Sequence, residues 1–191
     1  MATATRKSSN GFVPFTAPGL SNKDGSSIVK ILQSRLNALN DLALTLKHIH
    51  WNVVGPHFIA VHTMLDPQVD SVRKMVDKTA ERIATMGGSP IGTPGALVKM
   101  RGWDDYSLGR ADAIAHMGAL DLVYDGIITH HRTAIDQLEN LDLVTQDMLI
   151  GQTRKLEQFQ WFVRAHLESP SGKLSTNGAS TEKQAAKRSK V

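Results

Sequence analysis

The chain has 191 residues, a formal net charge of +4 and no cysteine. That length is enough for one domain with a substantial core, and the missing cysteines exclude disulfides and thiolate chemistry. No apolar run approaches the roughly eighteen residues of a membrane span, and the N-terminus has no apolar h-region of the secretory kind, so a reducing cytoplasm is the expected location.

Residues 1–24 mix Ser, Thr, Gly, Pro and Asn without a sustained period. They read as a flexible arm, which Phe12, Val13 and Phe15 either pin over a neighbouring subunit or leave disordered. Ile28, Leu32, Leu36, Leu39, Leu42, Leu46, Ile49 and Val53 then follow a 3.6-residue period, predicting a long helix from Ser26 or Ser27. Val54-Gly55-Pro56 reads as a short turn. A second helix is predicted from His57 to Met86, where Gly87-Gly88 ends it. Residues 87–109 are broken by Gly and Pro and read as a long crossover, with room for a short helix at Ala96–Arg101. A third helix is predicted over 110–139, a tight turn at Asn140-Leu141, and a fourth helix over 142–168. Four long helices with one crossover make an all-α four-helix bundle over residues 25–169. From Ser169-Pro170 the composition shifts to Gly, Ser, Thr, Ala and Lys, which predicts a flexible basic tail over 170–191. Lys173, Lys183, Lys187, Arg188 and Lys190 face only Glu182 there, so the net charge belongs to the end of the chain, with Arg6 and Lys7 in the other arm.

Five metal-competent side chains fall on the first two helices: His50, His62, Asp66, Asp77 and Glu81. His50 and His62 lie equally far from Pro56, so an antiparallel hairpin sets them level. On the second helix, with His62 at zero, Asp66 falls near about 40°, Asp77 near about 60° and Glu81 near about 100°. The apolar set Val61, Leu65, Val69, Val72, Val76 and Ile83 occupies a neighbouring stripe. The His62/Asp66 and Asp77/Glu81 pairs are separated by roughly 22 Å of helix rise, so one ion cannot reach both within one subunit. An antiparallel copy related by a two-fold axis near Ser71 and Val72 would bring the first pair of one chain opposite the second pair of the other. His nitrogen with carboxylate oxygen suits iron, and also zinc or manganese. The Glu-x-x-His motif that builds a di-iron site inside a single bundle is absent from the sequence.

His50-Trp51-Asn52, then Phe58-Ile59-Ala60-Val61-His62 with Asp66, then Asp77-x-x-x-Glu81, resembles the ferroxidase signature of the Dps mini-ferritins, the DNA-binding proteins from starved cells. The likeness runs over roughly residues 25–169 and takes in Gln160-Trp161-Phe162. It implies a ferritin-like bundle with a small helix in the crossover near the dimer two-fold. It also implies oxidation of Fe(II), with hydrogen peroxide or oxygen, at His50, His62, Asp66, Asp77 and Glu81, and ferric storage in a hollow dodecamer. Trp51 and Trp161 match aromatic positions beside that site, or else fill core space. Asp142 and Asp147 either line iron-entry pores or act as helix N-terminal acids.

The tail carries a second expectation, salt-sensitive and sequence-independent binding to DNA phosphates through Lys183, Lys187, Arg188 and Lys190, strengthened by repetition over the shell. Two competing functions are a nucleoid-compacting protein with a secondary metal site and a metal-dependent amide or ester hydrolase. Asp70 and Arg73 share the ligand face near the two-fold and suit a subunit-interface ion pair. His48 is expected to face solvent or an interface, and His116, His130, His131 and His166 lack a carboxylate at metal spacing.

Overall fold

Ser21 accepts a hydrogen bond from the Asp24 N–H and so starts α1 (Asn22–Asn52) one turn before the Ser26/Ser27 start read from periodicity. Gly25 permits this early start, because a Cβ there would lie 2.5 Å from Thr16 Oγ1 and 3.2 Å from the Met86 carbonyl. The structure is a computed structural model that describes residues 15–189; Arg6, Lys7, Phe12, Val13 and Lys190 lie outside the described residues. After α1 come β1 (Val53–Val54), α2 (Phe58–Thr85), α3 (Pro94–Met100), β2 (Ala111–Asp112), α4 (Ala113–Leu138), α5 (Leu143–Arg164) and α6 (Glu182–Arg188).

The four long helices α1, α2, α4 and α5 form the expected bundle, and α3 is the short helix in its crossover. One apolar cluster gathers Leu42, Leu46, Ile49, Val61, Leu65, Met117, Leu120 and Phe159. The other gathers Ile28, Leu32, Leu36, Ile83, Met86 and Leu138. Buried polar side chains come from all four helices: Arg35, Gln68 and Thr79, His131, and Gln152. Two hydrogen bonds join helices through them, Tyr124 Oη of α4 donating to Gln68 Oε1 of α2 at 2.6 Å and Gln152 Nε2 of α5 to Thr79 Oγ1 of α2 at 3.0 Å.

The crossover is fastened at both ends. Ile91 exchanges two hydrogen bonds with the Gln33 side-chain amide. At its far end β2 pairs in parallel with β1, Val53 against Ala111 and Val54 against Asp112. Asp112 then caps α4 by accepting from the Ala115 N–H.

The tail departs from the flexible segment expected over 170–191. Residues 169–181 run through a series of turns, and α6 packs on α4 with Ala185 and Ala186 buried. Gly118 makes this possible: a Cβ there would sit 2.1 Å from Ser189 Oγ and 2.8 Å from the Ala185 carbonyl. Glu182 Oε2 accepts from the Ser107 N–H, and Arg188 donates to the Asn177 carbonyl. Small side chains against a bare stretch of helix give close contact without the large apolar residues that announce burial in a sequence.

Candidate metal centre

His50 stands in the last turn of α1 and His62 in the second turn of α2, across a bend where Gly55 takes φ +96°. That left-handed backbone favours glycine. The two imidazoles stack at 3.6 Å between centroids with planes 23° apart. Each Nδ1 lies against the other residue's carbonyl, His50 Nδ1 to His62 O at 3.0 Å and His62 Nδ1 to His50 O at 2.9 Å. A carbonyl oxygen only accepts, so both Nδ1 atoms carry the proton in the neutral rings and both Nε2 atoms keep a free lone pair. This is the tautomer a metal-binding imidazole needs, fixed by a partner on its other nitrogen.

Asp66 follows His62 by one helical turn. Its Oδ1 lies 3.1 Å from Lys47 Nζ and 3.3 Å from His50 Nδ1. The Lys47 hydrogen bond, helped by the charges of His50 and Lys47, holds the Asp66 carboxyl below the usual carboxylate range. Asp77 and Glu81 are exposed farther along α2, and neither side chain makes a hydrogen bond or ion pair among the described residues. The chain thus brings His50, His62 and Asp66 together and leaves Asp77 and Glu81 apart from them. Among the described residues no three His, Asp or Glu side chains are grouped to hold a metal ion. In this structure Asp66 sits at the protonated Nδ1 edge of His50.

The structure also places the other residues singled out in the sequence. Trp51 and Trp161 do not fill this bundle's core; they are 72% and 62% exposed. His48 does not face solvent: it is half-buried, with Nε2 2.8 Å from the Leu108 carbonyl, pinning the end of the crossover. Asp142 is the N-cap of α5, accepting from the Thr145 N–H at 3.0 Å and pairing with Arg82 at 2.6 Å, whereas Asp147 is exposed. Asp70 and Arg73 are exposed and do not pair with each other within the chain. Gln160 donates to Asp121, and Phe162 packs at the edge of the core. Lys47 was missed in the sequence; its signal was the three-residue spacing to His50, which sets both on one helix face.

Residues 29–171 match the ferritin-like domain family. A DNA protection during starvation protein of Mycolicibacterium smegmatis is 60% identical over 172 residues, covering 90% of this chain and 94% of that protein. The chain belongs to the ferritin-like Dps family. Among solved structures, a family member from Streptomyces coelicolor is 60% identical, with a TM-score of 0.85 over 87% of this chain and 99% of the other. Another, the Dps of Microbacterium arborescens in its high iron form, is 26% identical with a TM-score of 0.74, over 81% of this chain and all of the other. No described helix is long and apolar enough to cross a membrane.

Proposed function

We propose that the protein is a Dps-type ferroxidase, storing iron and protecting DNA, whose oxidation sites are shared between two subunits. His50, His62 and Asp66 of one subunit would bind Fe(II) together with Asp77 and Glu81 of an antiparallel partner. The observation that carries this reading is the reciprocal Nδ1–carbonyl pairing of the two stacked histidines, which leaves both Nε2 atoms unprotonated. A second support is that Asp77 and Glu81 remain free of side-chain partners on the exposed face of α2. Fe(II) is the substrate: two ions give one electron each to one peroxide, which takes up two protons and leaves as two waters. Carboxylates favour the ferric product, and positions not filled by protein admit the oxidant. The same shell would hold the product as ferric oxide inside a dodecamer, in the cytoplasm.

Subunit mixing tests the sharing. A His50→Ala/His62→Ala chain still carries good carboxylates, and an Asp77→Ala/Glu81→Ala chain still carries good histidines. Each alone should oxidise Fe(II) slowly. Refolded together, mixed two-fold dimers contain one site with all five residues native, so fast oxidation should return. If mixing restores nothing although mixed particles form, the shared site is wrong.

DNA contact through α6 is the second part of the proposal. Lys183, Lys187 and Arg188 are exposed on a docked helix, an arrangement suited to phosphates and blind to sequence. Loss of DNA retardation in a Lys183→Ala/Lys187→Ala/Arg188→Ala variant, with retardation by the parent falling as salt rises, is the expected outcome.

A further inference from the structure

A cleft of about 390 Å³ opens between α1, α4, the end of the crossover and the first residues of α6. It lies apart from the histidine pair, and no step of iron oxidation uses it. Its floor is apolar, made of half-buried Leu122, Val123 and Ile127. Gly126 leaves that floor open, since a Cβ there would meet nothing within 4 Å. The rim is acidic: Asp41, Asp104, Asp105 and Glu182 all line it. Arg101 pairs with Asp41 and Asp105. Asp104 makes no ion pair among the described residues, and Glu182 meets only the Ser107 N–H. Trp103 forms a wall, held by its indole N–H donating to Asp41 Oδ2 at 2.7 Å.

An apolar floor with two rim carboxylates, Asp104 and Glu182, that make no ion pair among the described residues is complementary to a molecule that is aliphatic in the middle and cationic at its ends. Small hydrated cations gain nothing from the floor, and a neutral apolar ligand leaves the carboxylates without partners. The aromatic wall adds attraction for an ammonium group. We propose that this cleft binds a linear aliphatic polyamine, its methylenes on Leu122, Val123 and Ile127 and its ammonium groups on Asp104 and Glu182. Because Ser180, Thr181 and Glu182 supply one wall, the cleft is complete only while the tail helix is docked on α4. Polyamine binding therefore favours the docked tail by mass action.

The test is calorimetric titration of the assembled full-length particle with spermidine at low salt, beside three variants. Asp104→Asn and Glu182→Gln each remove a charge; the glutamine keeps an oxygen for the Ser107 N–H. Gly126→Leu fills the cleft on an open helix face and raises helix propensity. Each variant should weaken spermidine by about tenfold or more, with native mass and helix content unchanged. Butylamine, with one charge, should bind far more weakly than spermidine, and magnesium at matched ionic strength should not displace it. Absence of spermidine binding by the parent overturns the proposal. So does unchanged affinity in Gly126→Leu, or displacement by magnesium, which would mean an acidic surface without shape selection.

Discussion

His131 gives this bundle an acid sensitivity that can be worked out from its surroundings. The ring is fully buried, and its Nδ1–H donates to the Ile127 carbonyl at 3.1 Å. Burial, and then the positive charge of buried Arg35, push its pKa down to about 4. The ordinary value is about 6.5, so the unfolded chain takes up a proton at a pH where the folded chain refuses it. Stability rises with pH wherever the unfolded state holds more protons. The contribution is thus fully present above about pH 6.5 and is lost as the pH falls toward about 4. A gap of about 2.5 units corresponds to about 3 kcal/mol per subunit. The perturbation is His131→Gln, which cannot titrate in this range. Urea unfolding midpoints of parent and variant, at one protein concentration, would be followed from pH 7 to pH 4. The parent should lose about 3 kcal/mol more than the variant over that window, whatever their difference at pH 7. Parallel losses would refute the reasoning.

Replacing His50 and His62 together by alanine should slow peroxide-driven Fe(II) oxidation at least about tenfold, a loss of more than about 1.4 kcal/mol of barrier lowering; native mass should still report an assembled particle. Gly118→Leu should release α6, read as rapid proteolytic cleavage between residues 169 and 189 in a particle whose helices α1, α2, α4 and α5 stay protected from exchange. Asp142→Ala should cost about 1–2 kcal/mol through the lost cap, with loss of the Arg82 pair adding to it, seen as a lower denaturation midpoint. Asp147→Asn should leave stability unchanged and slow iron uptake if that carboxylate lines the entry path; an unchanged uptake rate removes it from the path.

The bundle was legible because periodic Leu, Ile and Val mark long amphipathic helices directly, and Gly87-Gly88 and Pro94 punctuate them. The level placement of His50 and His62 was also legible, since a turn at Pro56 fixes their register. Their reciprocal carbonyl contacts were not, because those depend on how closely two helix ends approach. The Ser21 cap was hidden by Gly25, which argues against a helix unless Thr16 and Met86 are known to press on it. The two-residue pairing of β1 with β2 is too short for any alternation to appear. The α6 helix was invisible for a different reason. Its docking rests on Ala185, Ala186 and an absent side chain at Gly118, whereas sequence patterns register large apolar groups.

Fastening the crossover by Gln33 at one end and by Val53–Val54 at the other has a practical outcome. What lies between those clamps can change length without shifting the histidine pair, because chain closure costs rise only slowly with added residues. Gly92, where a side chain would meet nothing within 4 Å, is accordingly a natural splice point for a foreign peptide. A graft there would be carried by the subunit with the histidine pair left in place.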